Sequence, residues 1–165
     1  MDLLWNELTF GIGDGREIAK VFIRMVAAII FGAAIGIERE VAGKQAGVRT
    51  HMLVTLGTTA VVLVCVQYGF STDGLSRVIQ GIVTGIGFIG AGSIIKQSDK
   101  MNVQGLTTSS GIWIAAAIGV ATGLGAVGLA AIGTVLSLSI LTIAVAIDNW
   151  IKKRRLTRER RSVTR

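Results

Sequence analysis

The chain is 165 residues long, 51% hydrophobic and 16% charged, with a mean hydropathy of +0.65. Soluble domains carry about 25% charged residues, whereas the 97 positions from His51 to Ile147 hold five charges: Asp73, Arg77, Lys96, Asp99 and Lys100. A soluble surface needs more charge than that and a disordered chain would be poorer in apolar residues, so both classes are excluded and an integral membrane protein remains.

A short amphipathic stretch opens the chain. Leu3, Leu4, Trp5 and Leu8 alternate with Asp2, Asn6 and Glu7, which predicts an interfacial helix over Met1–Phe10, broken by Gly11, Gly13 and Gly15. It lacks a basic leading region, so it is not read as a signal peptide. Five stretches then approach the roughly 20 apolar residues needed to cross a bilayer: Val21–Ile37, Met52–Phe70, Val78–Ile95, Leu106–Thr122 and Ala126–Ile147. They lack the strict alternation of barrel strands. The expected fold is therefore all-α, a polytopic bundle of five transmembrane helices over residues 1–150, followed by a basic tail over 151–165.

Lysine and arginine placement sets the expected orientation. With five spans, segments 38–51, 96–105 and 148–165 share one side and hold thirteen of the seventeen basic residues, against three (Arg16, Lys20 and Arg77) on the other. Arg24 falls inside the first span. The N-terminus is expected outside and the C-terminus in the cytoplasm. In the tail, Lys152 to Arg155 and Arg158 to Arg161 follow Trp150 directly. Basic residues so close to a membrane each gain about 1 kcal/mol from anionic lipids. Anionic lipid is thus the expected partner of the tail, and nucleic acid is not.

One cysteine, Cys65, and one histidine, His51, leave no basis for a disulfide framework or a multi-histidine metal centre. No cofactor or metal is expected. Gly85-Ile86-Gly87-Phe88-Ile89-Gly90 matches a dinucleotide fingerprint by letter, but it lies in an apolar run with no strand before it. Small residues in a membrane helix let two backbones approach closely, so Gly32, Gly36, Gly81, Gly85, Gly87 and Gly90 are read as helix-packing positions, toward a membrane partner or a second copy. Gly90-Ala91-Gly92-Ser93, with His51 on a nearby face, lacks an orienting acid and is not read as a hydrolase site.

Two polar segments are expected on the same membrane side. Glu38, Arg39 and Glu40 end the first span, and Arg49, Thr50 and His51 open the second; across this tight hairpin Glu38 and Arg49 are the expected ion pair. Asn102, Gln104, Thr107, Thr108, Ser109 and Ser110 crowd the start of the fourth span, more than one helix cap requires. The expected functional cluster is Glu38, Arg39, Arg49, Thr50, Asn102, Thr107 and Thr108.

These residues also carry a resemblance. Gly36-Ile37-Glu38-Arg39-Glu40 with Gly47-Val48-Arg49-Thr50-His51 resembles the first signature of the MgtC/SapB family of bacterial inner-membrane proteins. Gly85 to Gly92, with Gly105-Leu106-Thr107-Thr108 and Ile112-Trp113, resembles the second; Ser109-Ser110 departs from the small apolar pair usual there. The resemblance covers about residues 32–128, including Gly119 and Gly123 to Gly125. It implies a multi-pass inner-membrane protein without enzymatic activity. It also implies association with adaptation to low magnesium and with intracellular survival of pathogens. Some members carry an additional soluble C-terminal domain, and this chain is expected to be a short form without it.

Magnesium takes hard oxygen ligands, usually including one or two carboxylates. No Asp or Glu lies at the middle of any span, and Arg24 would repel a divalent cation. The chain is accordingly read as a regulatory or adaptor protein, the alternative being a transporter or channel for magnesium or another small solute.

Overall fold

The computed structural model describes residues 14–97 and 102–163; the interfacial helix expected over Met1–Phe10 lies outside them. Five helices follow in order: α1 (Gly15–Val41), α2 (Val48–Gln67), α3 (Thr72–Gly92), α4 (Leu106–Gly123) and α5 (Val127–Val163). All five contain a stretch long and apolar enough to cross a membrane, in α5 over Val127–Val145. This is the all-α membrane bundle that composition implies. Helices α1, α2 and α3 begin four to six residues earlier than their apolar runs because polar residues supply their first turns. Asp14 Oδ1 accepts from the amides of Arg16 and Glu17 to start α1, and Ser71 Oγ accepts from Gly74 to start α3.

Between α3 and α4 the chain forms a small antiparallel ribbon, β1 (Ile95–Gln97) with β2 (Asn102–Gln104), pairing Ile95 with Gln104 and Gln97 with Asn102. Hydropathy has no signal for such a ribbon, whose two three-residue arms satisfy each other's backbone groups. The basic segment after Trp150 continues α5 as one helix to Val163, and Arg154 stacks one turn on over the Trp150 ring, 3.9 Å from its centroid.

Helix α4 is the centre of the bundle and touches all four other helices; α3 rests chiefly on α4. Burial is inverted relative to a soluble protein. Phe22, Ile30, Phe88, Leu129 and Ile140 are exposed, while Thr55, Thr59, Thr122, His51 and Arg39 are buried. Large apolar side chains turned outward suit contact with lipid, and in the interior small and polar groups share the space with a few apolar ones such as Ile35, Val62 and Ile112. The buried hydroxyls are satisfied along their own helices: Thr122 donates to the Ile118 carbonyl and Thr134 to that of Ala130, both at 2.8 Å. Thr59 instead crosses from α2 to the Gly119 carbonyl of α4 at 2.8 Å.

Glycine makes that crossing possible. A Cβ on Gly119 would collide with Thr58 Oγ1 and stand 2.5 Å from the Thr55 carbonyl oxygen, and one on Gly123 would stand 2.7 Å from Val62 Cβ. Gly32 and Gly36 do the same between α1 and α2: a Cβ would lie 2.7 Å from the His51 carbonyl oxygen and 2.5 Å from Val48 Cα, respectively. The α1–α2–α4 core is thus in backbone contact.

Candidate functional site

The C-terminus of α1, the N-terminus of α2, the C-terminus of α3, the ribbon and the N-terminus of α4 meet at one end of the bundle. At this polar end the last turns of α1 carry the ionic residues. Arg39 is 1% exposed and points inward. Its Nη2 donates to Glu38 Oε1 at 2.7 Å, and its Nε to Glu38 Oε2, so the carboxylate receives both prongs of the guanidinium.

This corrects the expected Glu38–Arg49 pair. Arg49 lies in the first turn of α2 with its side chain exposed, whereas Arg39 is buried beneath the same hairpin. A buried charge must be paired and an exposed one need not be, so Arg39 takes the carboxylate although adjacent helical residues ordinarily face apart. Thr50 is half-buried beside Arg49.

Glu40 has a task that the sequence reading did not assign. Gly47, the residue before α2, has no side chain with which to cap the helix, and Glu40 Oε2 reaches across the turn to accept from the Val48 amide at 3.0 Å. A carboxylate at a helix N-terminus is favoured by the free amides and the helix dipole. Glu40 lies so near Gly47 that a Cβ there would stand 2.6 Å from the same oxygen.

His51 is the second residue missed. It is fully buried, with Nδ1 2.9 Å from the Gly47 carbonyl oxygen, so Nδ1–H donates and Nε2 carries a lone pair. Nε2 has no partner among the described residues and faces Gly111 of α4, where a Cβ would stand 3.2 Å from it and 4.0 Å from Arg39 Cδ. The buried side chains of Arg39 from α1 and His51 from α2 thus lie side by side against Gly111 of α4. Gly111 follows the matched Thr-Thr block by three residues, but nothing in the sequence pairs it with His51.

The α3–α4 side is held by serines. Ser93 Oγ donates to the Gly90 carbonyl at 2.8 Å and lies 2.8 Å from Ser109 Oγ, and Ser109 Oγ also donates to the Gly90 carbonyl. Ser93 is therefore tied into a joint between helices and not to His51. Gly90 is buried here in ordinary contact with Ser109; Gly81, Gly85 and Gly87 are exposed and a Cβ on any of them would meet nothing within 4 Å in this chain.

The hydroxyls at the start of α4 do not cap it. Its N-cap is Gly105, at φ +99° and so tightly packed that a Cβ would collide with the Ser93 carbonyl oxygen, and Ser110 Oγ donates back to Leu106 at 3.0 Å. Before this uncapped end opens a cavity of about 510 Å³, lined by Gly43, Lys44 and Gln45 from the α1–α2 turn, Ser93, and Gln104 through Thr108. Thr107 is exposed in it and Thr108 is 4% exposed. Asn102 lies on β2, and its side chain is outside the described residues. Of the expected cluster, Thr107 and Thr108 line the cavity, Glu38 and Arg39 form the buried pair, and Arg49 and Thr50 lie on the α2 side.

Among the described residues no group of three or more His, Cys, Asp or Glu side chains is placed to hold a metal ion. The arrangement is rich in hydrogen-bond donors around a cavity, with the Glu38–Arg39 pair, its guanidinium buried and its carboxylate partly so, on the same end of the bundle.

Comparison with known proteins places this architecture. YhiD of Escherichia coli K12, whose name ties it to magnesium transport, is 43% identical over 133 residues, covering 76% of this chain and 60% of that protein. SrpB of Synechococcus elongatus is 41% identical over 130 residues, 72% of this chain and 71% of its own length. MgtC of Salmonella typhimurium LT2 is 43% identical over 103 residues, 62% of this chain and 43% of that protein. The chain therefore spans less than two thirds of YhiD and under half of MgtC. No solved structure matches it. The MgtC family model matches residues 25–150, which hold most of the first membrane-crossing helix, the other four membrane-crossing stretches and the polar end, and the chain belongs to the MgtC family.

Proposed function

We propose that this chain is a non-enzymatic regulator or adaptor of the bacterial inner membrane, linked to the cell's handling of magnesium, with its working face at the polar end. The magnesium link rests on the family and on the name of YhiD. The face is read as cytoplasmic because the basic residues of 38–51, 96–105 and 148–165 lie on that side.

One observation carries the choice of regulator over conductor: the centre of the bundle is closed by backbone contact. Gly32 and Gly36 seat α1 on α2, and Gly119 and Gly123 seat α4 on α2. The buried hydroxyls there point at carbonyls of the chain itself, and the buried ionic side chain is a cation, Arg39, already matched by Glu38. A magnesium path needs carboxylates or a ring of free carbonyls. Space for a polar partner opens at the end of the bundle, before the start of α4.

A second reading, transport of magnesium or another small solute, is favoured by the name of YhiD. Flux into liposomes holding the purified protein separates the two. The regulator reading expects magnesium uptake equal to that of empty liposomes; uptake above that level replaces it with the transporter reading.

A further inference from the structure

We propose that His51 is a proton-binding site that sets how tightly the polar end is closed, so that acidification loosens the start of α4 from the α1–α2 hairpin. The inference rests on the polar end being the working face of the chain, and it names the signal that regulates that face.

Three observations meet at this residue. The first is a spare acceptor. His51 is 0% exposed and its Nδ1–H is engaged by the Gly47 carbonyl at 2.9 Å. Nε2 is the one buried side-chain nitrogen or oxygen without a hydrogen-bond partner among the described residues. The buried hydroxyls of Thr55, Thr59, Thr122 and Thr134, by contrast, all donate to carbonyls. A buried polar atom left open in an otherwise satisfied interior calls for a role. An imidazole lone pair has one ready chemistry near neutral pH, which is to take a proton from water.

The second is what surrounds that lone pair. Nε2 abuts the bare backbone of Gly111, where a Cβ would stand 3.2 Å from it and 4.0 Å from Arg39 Cδ. Helix α4 offers a proton there no carboxylate, since Leu106–Gly123 contains no titratable or charged side chain. From α1 the facing groups are the buried guanidinium of Arg39 and the carboxylate of Glu38, which already receives both of its prongs. In the hairpin, Glu40 is committed to the Val48 amide, and Lys44 and Arg49 are exposed. Asp73 and Arg77 belong to the first turns of α3, at the opposite end of the bundle. An imidazolium would thus be a second cation beside one carboxylate, and one of the two cations would stay buried and uncompensated. The closed packing matches a neutral imidazole; a charged one is matched by water.

The third is that the joint can open at this level. Deeper in the bundle α2 and α4 are in backbone contact at Gly119 and Gly123. Gly111 lies about 12 Å nearer the start of α4 than Gly119, and there the imidazole itself stands between the helices. The joint is fixed at depth and mediated by a side chain at its end. Residues 43–45 of the hairpin turn and 104–108 at the start of α4 both line the cavity, so separation at Gly111 widens it. The open state, in which water reaches Nε2, takes up the proton and gains as pH falls, by at most about tenfold per pH unit for a single site.

The chain has one histidine and one cysteine, which makes the test direct. Purified full chain in uncharged detergent micelles is titrated between about pH 8 and about pH 5. One readout is the NMR resonance of the lone imidazole. The other is the distance between spin labels at Lys44→Cys and Leu106→Cys, both exposed positions, in a Cys65→Ser background. Imidazole protonation and a longer-distance population are expected to rise together with one midpoint. His51→Gln is expected to hold the distance constant across the range. If that variant fails to fold, coincidence of the two midpoints in the parent decides. An unchanging distance, a change that persists in His51→Gln, or midpoints that separate would overturn the proposal. Liposome flux at constant neutral pH is independent of this titration, so failure of the regulator reading is distinguishable from failure of the proton site.

Discussion

Arg24, a third of the way along α1, donates from Nη1 to the carbonyl of Gly123 at 3.1 Å and closes the C-terminal end of α4. A cation at a helix C-terminus meets free carbonyls and the negative end of the dipole. The turn that follows is shaped around it: Gly125 sits at φ +86°, and a Cβ there would stand 2.5 Å from Arg24 Nη2. An arginine inside a membrane span thus has a structural partner 99 residues away.

Replacing Arg24 by Met removes that bond and leaves the Gly123 carbonyl open. A loss of about 2 kcal/mol is expected, the size of a hydrogen bond to a charged group. Reversible unfolding in mixed micelles measures it. Unchanged stability would mean that the α4–α5 turn holds without the guanidinium.

Glu38→Gln and Arg39→Met each break the buried fork and should cost about 3 kcal/mol or more, because the remaining group is left uncompensated. The double variant should cost little more than the worse single one. Arg49→Gln, at an exposed position, should stay within about 0.5 kcal/mol of the parent. A thermodynamic cycle over the four proteins checks the coupling, and additive losses would contradict the fork.

Gly119→Ala forces a methyl group onto Thr58 and the α2 backbone and should lower stability by about 2 kcal/mol or more. Gly57→Ala, with nothing within 4 Å of the new methyl, should be neutral or slightly stabilising. Unfolding midpoints of the two variants, compared under one detergent condition, decide whether backbone contact between α2 and α4 is what holds the centre.

Gly81→Leu and Gly85→Leu should leave the monomer fold intact, since a Cβ at either glycine meets nothing within 4 Å among the described residues. If a membrane partner or a second copy docks on this face of α3, both changes weaken assembly. Crosslinking in native membranes reads this directly. Yields unaffected by either substitution would leave the face to lipid.

Reporter fusions test the orientation. Fusions within the α2–α3 turn at Gly69 and the α4–α5 turn at Gly125 are expected to report outside, and a fusion after α5 to report inside. An inside signal from either turn would reverse the assignment of the polar end.

The membrane class, the number of spans and their approximate positions are legible in the chain alone, because a bilayer imposes one coarse demand, length of apolar sequence, that local composition answers. The two polar segments were legible for the same reason, as departures from that demand. Which charge pairs with which was not. Glu38 and Arg49 are natural partners across a hairpin in one dimension; the interior position of Arg39 reverses the choice, and burial is a property of how α1, α2 and α4 meet. The glycines divide on the same line. Gly32, Gly36, Gly81 and Gly85 read alike in sequence, yet two carry backbone contact and two face open space. Gly119 and Gly123 attracted no packing assignment and seat the central helix. Periodicity tells which residues share a face of one helix. The rotation of each helix about its axis, and so which neighbour that face meets, is set by contacts among several helices at once and exists only in the tertiary structure.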